Sequence, residues 1–251
     1  MTNNPCEILF KDAYFMATHN SYSGGIGGSR KTLFEQLDAG IRFLEIDIHA
    51  GNRNFLVGHM KAGHEVDQSF SNPSSIDLDS WLKTIAKWSM RHSRHVPVVL
   101  GLDVRSDLRN TNRSTLQDLE NLVKNIFAGA LYSANGFKED EIRVCDLVGR
   151  VLVVLSGNLQ TRLAYQNSPI MEKFFFVEHQ NGEAAETEKA LFYAASAKAA
   201  QWGLEQRQKG KIVRLWEFFE NAPHVAVNFP ATDHPFSEWY VAYCKNMGTI
   251  S

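Results

Sequence analysis

The sequence predicts an α/β chain folded as one domain, residues 1–251, in a TIM-type (β/α) barrel with room for distortion or incomplete closure. Three observations carry this. Short apolar runs alternate with amphipathic stretches, as in a parallel sheet wrapped by helices. The alternation gives roughly seven or eight strand–helix units with no linker, repeat or composition shift, which favours a barrel over a doubly wound sheet. Polar residues recur where the apolar runs end: His19 and Asn20, Glu45 and Asp47, Asp103, Asn158, Glu178 and His179, Trp216, and Asp233. In a barrel those ends share one mouth, and chemistry sits there.

In chain order, residues 14–17 form a strand that runs into Thr18-His19-Asn20-Ser21-Tyr22 and a glycine-rich loop, residues 23–28. That loop lacks the Lys-Ser/Thr ending of a P-loop and the spacing of a dinucleotide turn, so it reads as a mobile loop. Residues 29–39 form a helix, with Leu33, Phe34 and Leu37 on one face and Gly40 as its C-cap. The strand at 41–48 organises the rest. Glu45 and Asp47 are two apart and share one face, while Leu44, Ile46 and Ile48 take the other. Two neighbouring acids repel near a core and require a cation or a shared proton. Gly51 and Asn52 turn the chain, residues 55–57 return it, and Gly58-His59 bring an imidazole to the same region.

Residues 61–79 are polar and broken by Pro73. Residues 80–91 form an amphipathic helix whose Trp81, Leu82, Ile85 and Trp88 are core. A buried strand at 97–103 ends in Asp103, and a helix covers 114–130. Strands at 148–155 and 173–177 lead to Ser156-Gly157-Asn158 and to Glu178-His179. Residues 187–208 read as a long alanine-rich helix. Strands at 212–216 and 225–228 close the series, the second running into Thr232-Asp233-His234.

Composition narrows the function classes. The chain is 44% hydrophobic and 22% charged, which is ordinary for a folded domain. A formal charge of −2 offers no basic field for nucleic acid. Cys6, Cys145 and Cys244 are sparse, far apart and odd in number, which fits reduced thiols rather than a disulfide framework. No basic-then-apolar leader is visible at the start, so the expected compartment is the cytoplasm, or the outside by export without a cleavable signal. A soluble monomer is expected.

The ordered set Thr18-His19-Asn20-Ser21-Tyr22, Gly40-Ile41-Arg42-Phe43-Leu44-Glu45-Ile46-Asp47, Gly58-His59 and Leu100-Gly101-Leu102-Asp103 resembles the X-region of phosphoinositide-specific phospholipase C. The clear match covers about the first 105 residues; beyond it only the strand rhythm and Val227-Asn228 with Thr232-Asp233-His234-Pro235 are similar to the calcium-dependent single-barrel members. The resemblance implies a phosphodiesterase that binds Ca²⁺, ahead of Mg²⁺, through Asn20, Glu45, Asp47 and Asp103, an all-oxygen set suited to a hard cation. The calcium-independent branch carries Asp after the first His; Asn20 and the retained acidic pair place this chain with the calcium-dependent branch. Asp103 stands where eukaryotic members usually carry Glu, so its shorter side chain reaches an ion less directly.

The implied reaction is intramolecular attack on phosphorus to give a cyclic inositol phosphate and diacylglycerol. Glu45 or Asp103 is the base, His19 the charge stabiliser and His59 the acid on the leaving alcohol. Lys61, Glu178, His179, Trp216 and Asp233 are further candidate substrate contacts. His49 and His64 read as solvated. Membrane contact through loops near Phe70, Phe137 and Phe236 fits a phospholipid substrate. The alternatives are a soluble glycerophospho- or sugar-phosphodiester, and a non-catalytic barrel that binds phosphoinositide headgroups. The second is disfavoured because all six histidine and ligand positions are occupied.

Overall fold

The computed structural model describes residues 5–69, 71–111, 114–169, 172–183 and 190–250. Its strands are β1 (Met16–Thr18), β2 (Ile41–Ala50), β3 (Phe55–Val57), β4 (Val98–Val104), β5 (Val151–Gly157), β6 (Phe176–Gln180), β7 (Phe192–Ser196), β8 (Ile212–Trp216) and β9 (Phe229–Thr232). They join in the order β1-β9-β8-β7-β6-β5-β4-β2-β3, and β1 also pairs β2, so the sheet closes on itself. Pairings around the ring are parallel, and β3 is an antiparallel hairpin partner of β2. Helices α1 (Leu33–Asp38), α2 (Leu78–Arg91), α3 (Leu116–Phe127), α4 (Leu159–Asn167), α5 (Ala200–Gln208) and α6 (Glu238–Met247) surround it. The barrel is closed rather than open. The seam at three-residue β1 carries a register shift between Met16 and Ala17.

Alternation along the strands separates two apolar layers. Leu44, Ile46 and Ile48 of β2, with Leu100, Leu102, Val153 and Leu155, face outward and pack with Leu37 of α1, Trp81 and Ile85 of α2 and Val123 of α3. Phe43, Val99, Leu152, Val154, Phe192 and Phe229 face inward and plug one end of the barrel, with Phe43 and Phe229 ring centroids 5.0 Å apart. A Cβ at Gly101 would come within 2.8 Å of the Phe43 ring, so only glycine leaves room for this plug. Two residues further along, the inward positions turn polar: Glu45 and Asp47 on β2, Asp103 on β4, Ser156 on β5, Glu178 on β6 and Arg214 on β8. The apolar plug carries the packing energy, and the polar end is left for chemistry.

Several elements depart from the sequence reading. Strand β7 occupies part of the expected 187–208 helix, of which residues 184–189 lie outside the described residues. Its Ala194 and Ala195 are fully buried, and alanine's helix preference hides a strand whose small side chains suit a crowded sheet. Strand β9 starts at Phe229 rather than Val225, because Pro230 reads as a strand breaker yet sits inside the strand opposite Leu215. Helix α1 starts late, at Leu33, where Thr32 and Glu35 form a capping box. Cys6 and Cys145, distant in sequence, are brought together, and neither forms a disulfide. No described helix is long and apolar enough to cross a membrane.

Candidate active site

A cavity of about 680 Å³ opens where the strands end, lined among others by His19, Glu45, His59, Asp103, Trp216 and Asp233. Register builds its floor. In the β2–β4 pairing Asp47 stands directly opposite Asp103, and Glu45 opposite Gly101. All three carboxylates therefore point inward, and their oxygens lie within 4.8 Å of one another. A Cβ at Gly157, whose φ is +76°, would come within 2.3 Å of Asp103 Oδ1, so glycine on β5 makes room for this acid.

Arg214 anchors the inner edge of the cluster. Its guanidinium donates to Glu45 Oε1 at 2.6 Å and to Glu178 at 3.0 and 3.1 Å, and Ser156 donates to the same Glu178. Burial works against the Glu45 charge, but Arg214 and then His19 outweigh it and hold that carboxyl below its usual range. Asp47 and Asp103 behave in the opposite way. Burial, then Asp103 and Glu45, push Asp47 well above the usual range, and burial takes Asp103 up to about 6 despite Arg105. Arg105 reaches Asp47 Oδ2 at 2.6 Å and Asp103 Oδ1 at 3.3 Å from a half-exposed position. Even so, Asp47 Oδ1 and Asp103 Oδ1 stay buried without a well-formed hydrogen bond among the described residues, the second held only by its ion pair with Arg105. Crowded, mutually repelling acids with incompletely satisfied oxygens are what a hard divalent cation relieves, so the donor set fits one.

Asn20 borders the same cluster. It adopts the left-handed conformation (φ 48°, ψ 53°), which asparagine tolerates better than most residues. Its backbone N–H donates to Glu45 Oε2 at 3.3 Å, and its side-chain oxygen accepts from the Tyr22 hydroxyl at 3.2 Å. Buried Gln36 of α1 donates to the Ser21 carbonyl at 2.8 Å, and the Ser21 hydroxyl accepts from the Glu45 N–H at 2.8 Å. These bonds tie the loop after β1 to β2.

Two histidines flank the acids. His19 Nδ1 lies 2.9 Å from Asp233 Oδ1, and Arg30 pairs with that carboxylate while also bonding the His19 carbonyl. His19 Nε2 lies 3.9 Å from Glu45 Oε2. Burial disfavours the imidazolium, but Glu45 and Asp233 together raise the His19 pKa above its ordinary value. His59 Nδ1 faces Glu65 Oε2 at 3.1 Å, which leaves Nε2 for the cavity it lines.

The phosphatidylinositol-specific phospholipase C X-domain model matches residues 9–155. The chain belongs to that family. Its fold is similar to the calcium-dependent phosphoinositol-specific phospholipase C of a Pseudomonas species in its myoinositol complex, with TM-score 0.73 and 18% identity over 90% of both chains. It is also similar to a Ca²⁺-dependent phosphatidylinositol-specific phospholipase C from Streptomyces antibioticus, with TM-score 0.66 and 15% identity over 96% of this chain and 98% of that one. The Listeria monocytogenes phosphatidylinositol-specific phospholipase C aligns at TM-score 0.54 and 19% identity, over 85% of this chain and 76% of that one. A search of curated proteins finds no match.

In this X-domain barrel the expected residues divide clearly. His19, Asn20, Glu45, His59 and Asp103 meet at the cavity, and Asp47 lies fully buried against Asp103. Trp216 and Asp233 line the wall, but Asp233 is occupied with His19 and Arg30. Glu178 points inward to Arg214 and does not line the cavity. His179, adjacent on the same strand, faces outward and packs on Tyr193 and Trp202 in a separate cleft. Lys61 is exposed and does not line the cavity. His49 is half-buried and has a partner the sequence did not show: its Nε2 lies 2.9 Å from the Gly58 carbonyl. Phe137 packs on Phe176 in the barrel plug, away from the mouth, whereas Phe236 lies beneath Lys31. Phe70 lies outside the described residues. The sequence reading missed Tyr22, Arg30, Glu65, Arg105 and Arg214. The signal for a buried arginine was present, since inward acids on neighbouring strands must find a cation.

Proposed function

We propose that the chain is a Ca²⁺-dependent phosphodiesterase that cleaves phosphatidylinositol-type lipids. The inositol hydroxyl beside the phosphate attacks phosphorus, giving a cyclic inositol phosphate and diacylglycerol. The observation that carries this reading is the cluster of three buried carboxylates at the floor of a cavity flanked by two imidazoles. Asn20, Glu45, Asp47 and Asp103 are the residues that would hold the ion. Bound there, Ca²⁺ supplies Lewis acidity toward the phosphate and the attacking hydroxyl.

The chain's own groups do the rest. Glu45 or Asp103, both at the cavity wall, accepts the hydroxyl proton. His19, its tautomer set by Asp233 and its charge favoured by Glu45, donates from Nε2 to the phosphorane oxygen. His59, steadied by Glu65 on Nδ1, gives its Nε2 proton to the leaving alcohol and takes one back from water when the cyclic ester opens. Holding hydroxyl and phosphate in one pocket makes the attack effectively unimolecular. Ile26 at the rim and Met60 beside His59 are exposed apolar side chains, 43% and 75% accessible, suited to shallow contact with a bilayer.

Hydrolysis of phosphatidylinositol vesicles and of soluble glycerophosphoinositol at buffered Ca²⁺ tests the reading. Lipid cleavage that stops on chelation is the expected result. Cleavage confined to the soluble diester would replace the lipid assignment, and cleavage of neither would overturn it.

A further inference from the structure

Beyond the oxygen cluster, the loop after β3 assembles a second set of donors of different chemistry. His59, His64 and Glu65 offer ligand atoms that all lie within 4.8 Å of one another. Glu65 Oε2 is 3.1 Å from His59 Nδ1, and Glu65 Oε1 is 4.0 Å from His64 Nδ1. Both Nδ1 atoms are shielded from solvent; that of His59 is ion-paired with Glu65, and that of His64 has no hydrogen-bond partner among the described residues. The rings are roughly parallel, with centroids 6.1 Å apart. Backbone bonds hold this arrangement: His59 N–H to the His64 carbonyl at 3.0 Å, His64 N–H to the Lys61 carbonyl at 3.0 Å, and Gly63 N–H to the Val57 carbonyl at 2.8 Å.

Two shielded imidazole nitrogens are turned toward one carboxylate, which pairs with His59 at 3.1 Å and leaves His64 at 4.0 Å without a hydrogen bond. They are two-thirds of a His₂Glu metal set. We propose that His59, His64 and Glu65 bind a borderline transition-metal ion, Zn²⁺ foremost, and that its binding inhibits the enzyme. Imidazole donors select Zn²⁺ over Ca²⁺, which keeps this site distinct from the all-oxygen cluster. A tetrahedral ion with bonds of about 2 Å sets its ligands roughly 3.3 Å apart. The His59–Glu65 pair already meets that spacing, and the half-exposed His64 ring closes the remaining gap by rotation. A water would complete the four-coordinate set.

The inhibitory consequence rests on the role proposed for His59. With Nδ1 on the metal, the imidazole cannot become imidazolium, and its Nε2–H is a much weaker acid. Zinc therefore removes the proton that the leaving alcohol needs, while leaving the carboxylate cluster and His19 in place.

The test uses the whole chain with Ca²⁺ at saturation, so that the oxygen cluster is not free to report. Co²⁺ gives a ligand-field spectrum that distinguishes tetrahedral nitrogen ligation, and calorimetry with Zn²⁺ gives stoichiometry and affinity. One equivalent is expected, with His64→Ala and, separately, His64→Asn weakening it at least tenfold. The proposed reaction gives His64 no role, so both variants should keep their Ca²⁺-supported activity without zinc and lose zinc inhibition. Equal zinc affinity in wild type and variants, or no saturable binding by wild type, would overturn the site. Equal zinc inhibition of wild type and His64→Ala would overturn the inhibitory mechanism. A chain that binds Zn²⁺ through His64 but cleaves no phosphodiester would leave the site standing and sink the proposed reaction instead.

Discussion

Two histidine–carboxylate pairs face the same cavity and are built differently. His19 stands at the end of a barrel strand with a side chain 13% exposed, and Asp233 behind it is itself clamped by Arg30. His59 sits on a loop with a side chain 31% exposed, and its partner Glu65 is 39% exposed. A carboxylate fixed at low dielectric holds its imidazole in one tautomer and favours its charge. A more exposed pair lets water share the work, so the proton can leave and return. The difference suits the two roles proposed for these dyads: a standing positive charge at His19 and a proton shuttle at His59.

The harshest way to break this comparison is to remove either ring. His19→Ala and His59→Ala should each lower kcat by roughly 10³-fold with the folded circular-dichroism spectrum retained. Near-normal turnover in either variant would remove that histidine from the chemistry.

Neutralising the partners separates the two roles. Asp233→Asn should cost roughly 10²-fold in kcat and move the alkaline limb of the pH profile downward, because Asp233 helps raise the His19 pKa. Glu65→Gln should cost about tenfold or less, since water replaces part of its function. A larger loss at Glu65 than at Asp233 would invert the assignment of fixed charge and shuttle.

Between the dyads, the acids make a statement about stability. Asp47 and Asp103 have folded pKa values above their unfolded ones, with Asp103 near 6. Protonated acids are tolerated in the fold, so their contribution is intact at pH values below the unfolded pKa and is lost as pH rises through about 6. Thermal unfolding with chelator should therefore show a falling Tm across that window. Added Ca²⁺ should raise Tm more at neutral pH than at pH values below the window, and Asp103→Asn should flatten both effects. An equal Ca²⁺ effect on both sides of the window would contradict the cluster as the ion's site.

The smallest effect belongs to Arg105. It sits on Asp47 and Asp103 and must yield to an incoming cation, so Arg105→Gln should tighten Ca²⁺ binding several-fold by calorimetry. Weaker binding would mean that the guanidinium organises the acids rather than competing for them.

Much of this was legible in the sequence. The i, i+2 spacing of Glu45 and Asp47, with Leu44, Ile46 and Ile48 between and after them, dictates which residues enter the barrel. Strand alternation also forbids Glu178 and His179 from facing the mouth together, and the structure turns one inward and one outward. Other features depend on contacts between distant segments. Arg214 is in the barrel because Glu45 and Glu178 converge there, and Arg30 is at the site because the loop after β1 folds back onto Asp233. Strand β7 escaped notice because its burial comes from neighbours on both sides and not from its own alanine-rich pattern.

The most direct measurement is phosphorus NMR of the purified protein with phosphatidylinositol micelles, first with Ca²⁺ and then with chelator. The expected spectrum gains a cyclic inositol phosphate signal with Ca²⁺ and stops gaining it on chelation. A signal that keeps growing after chelation would contradict the carboxylate cluster as the working metal site. No new signal with Ca²⁺ would contradict phosphatidylinositol as the substrate.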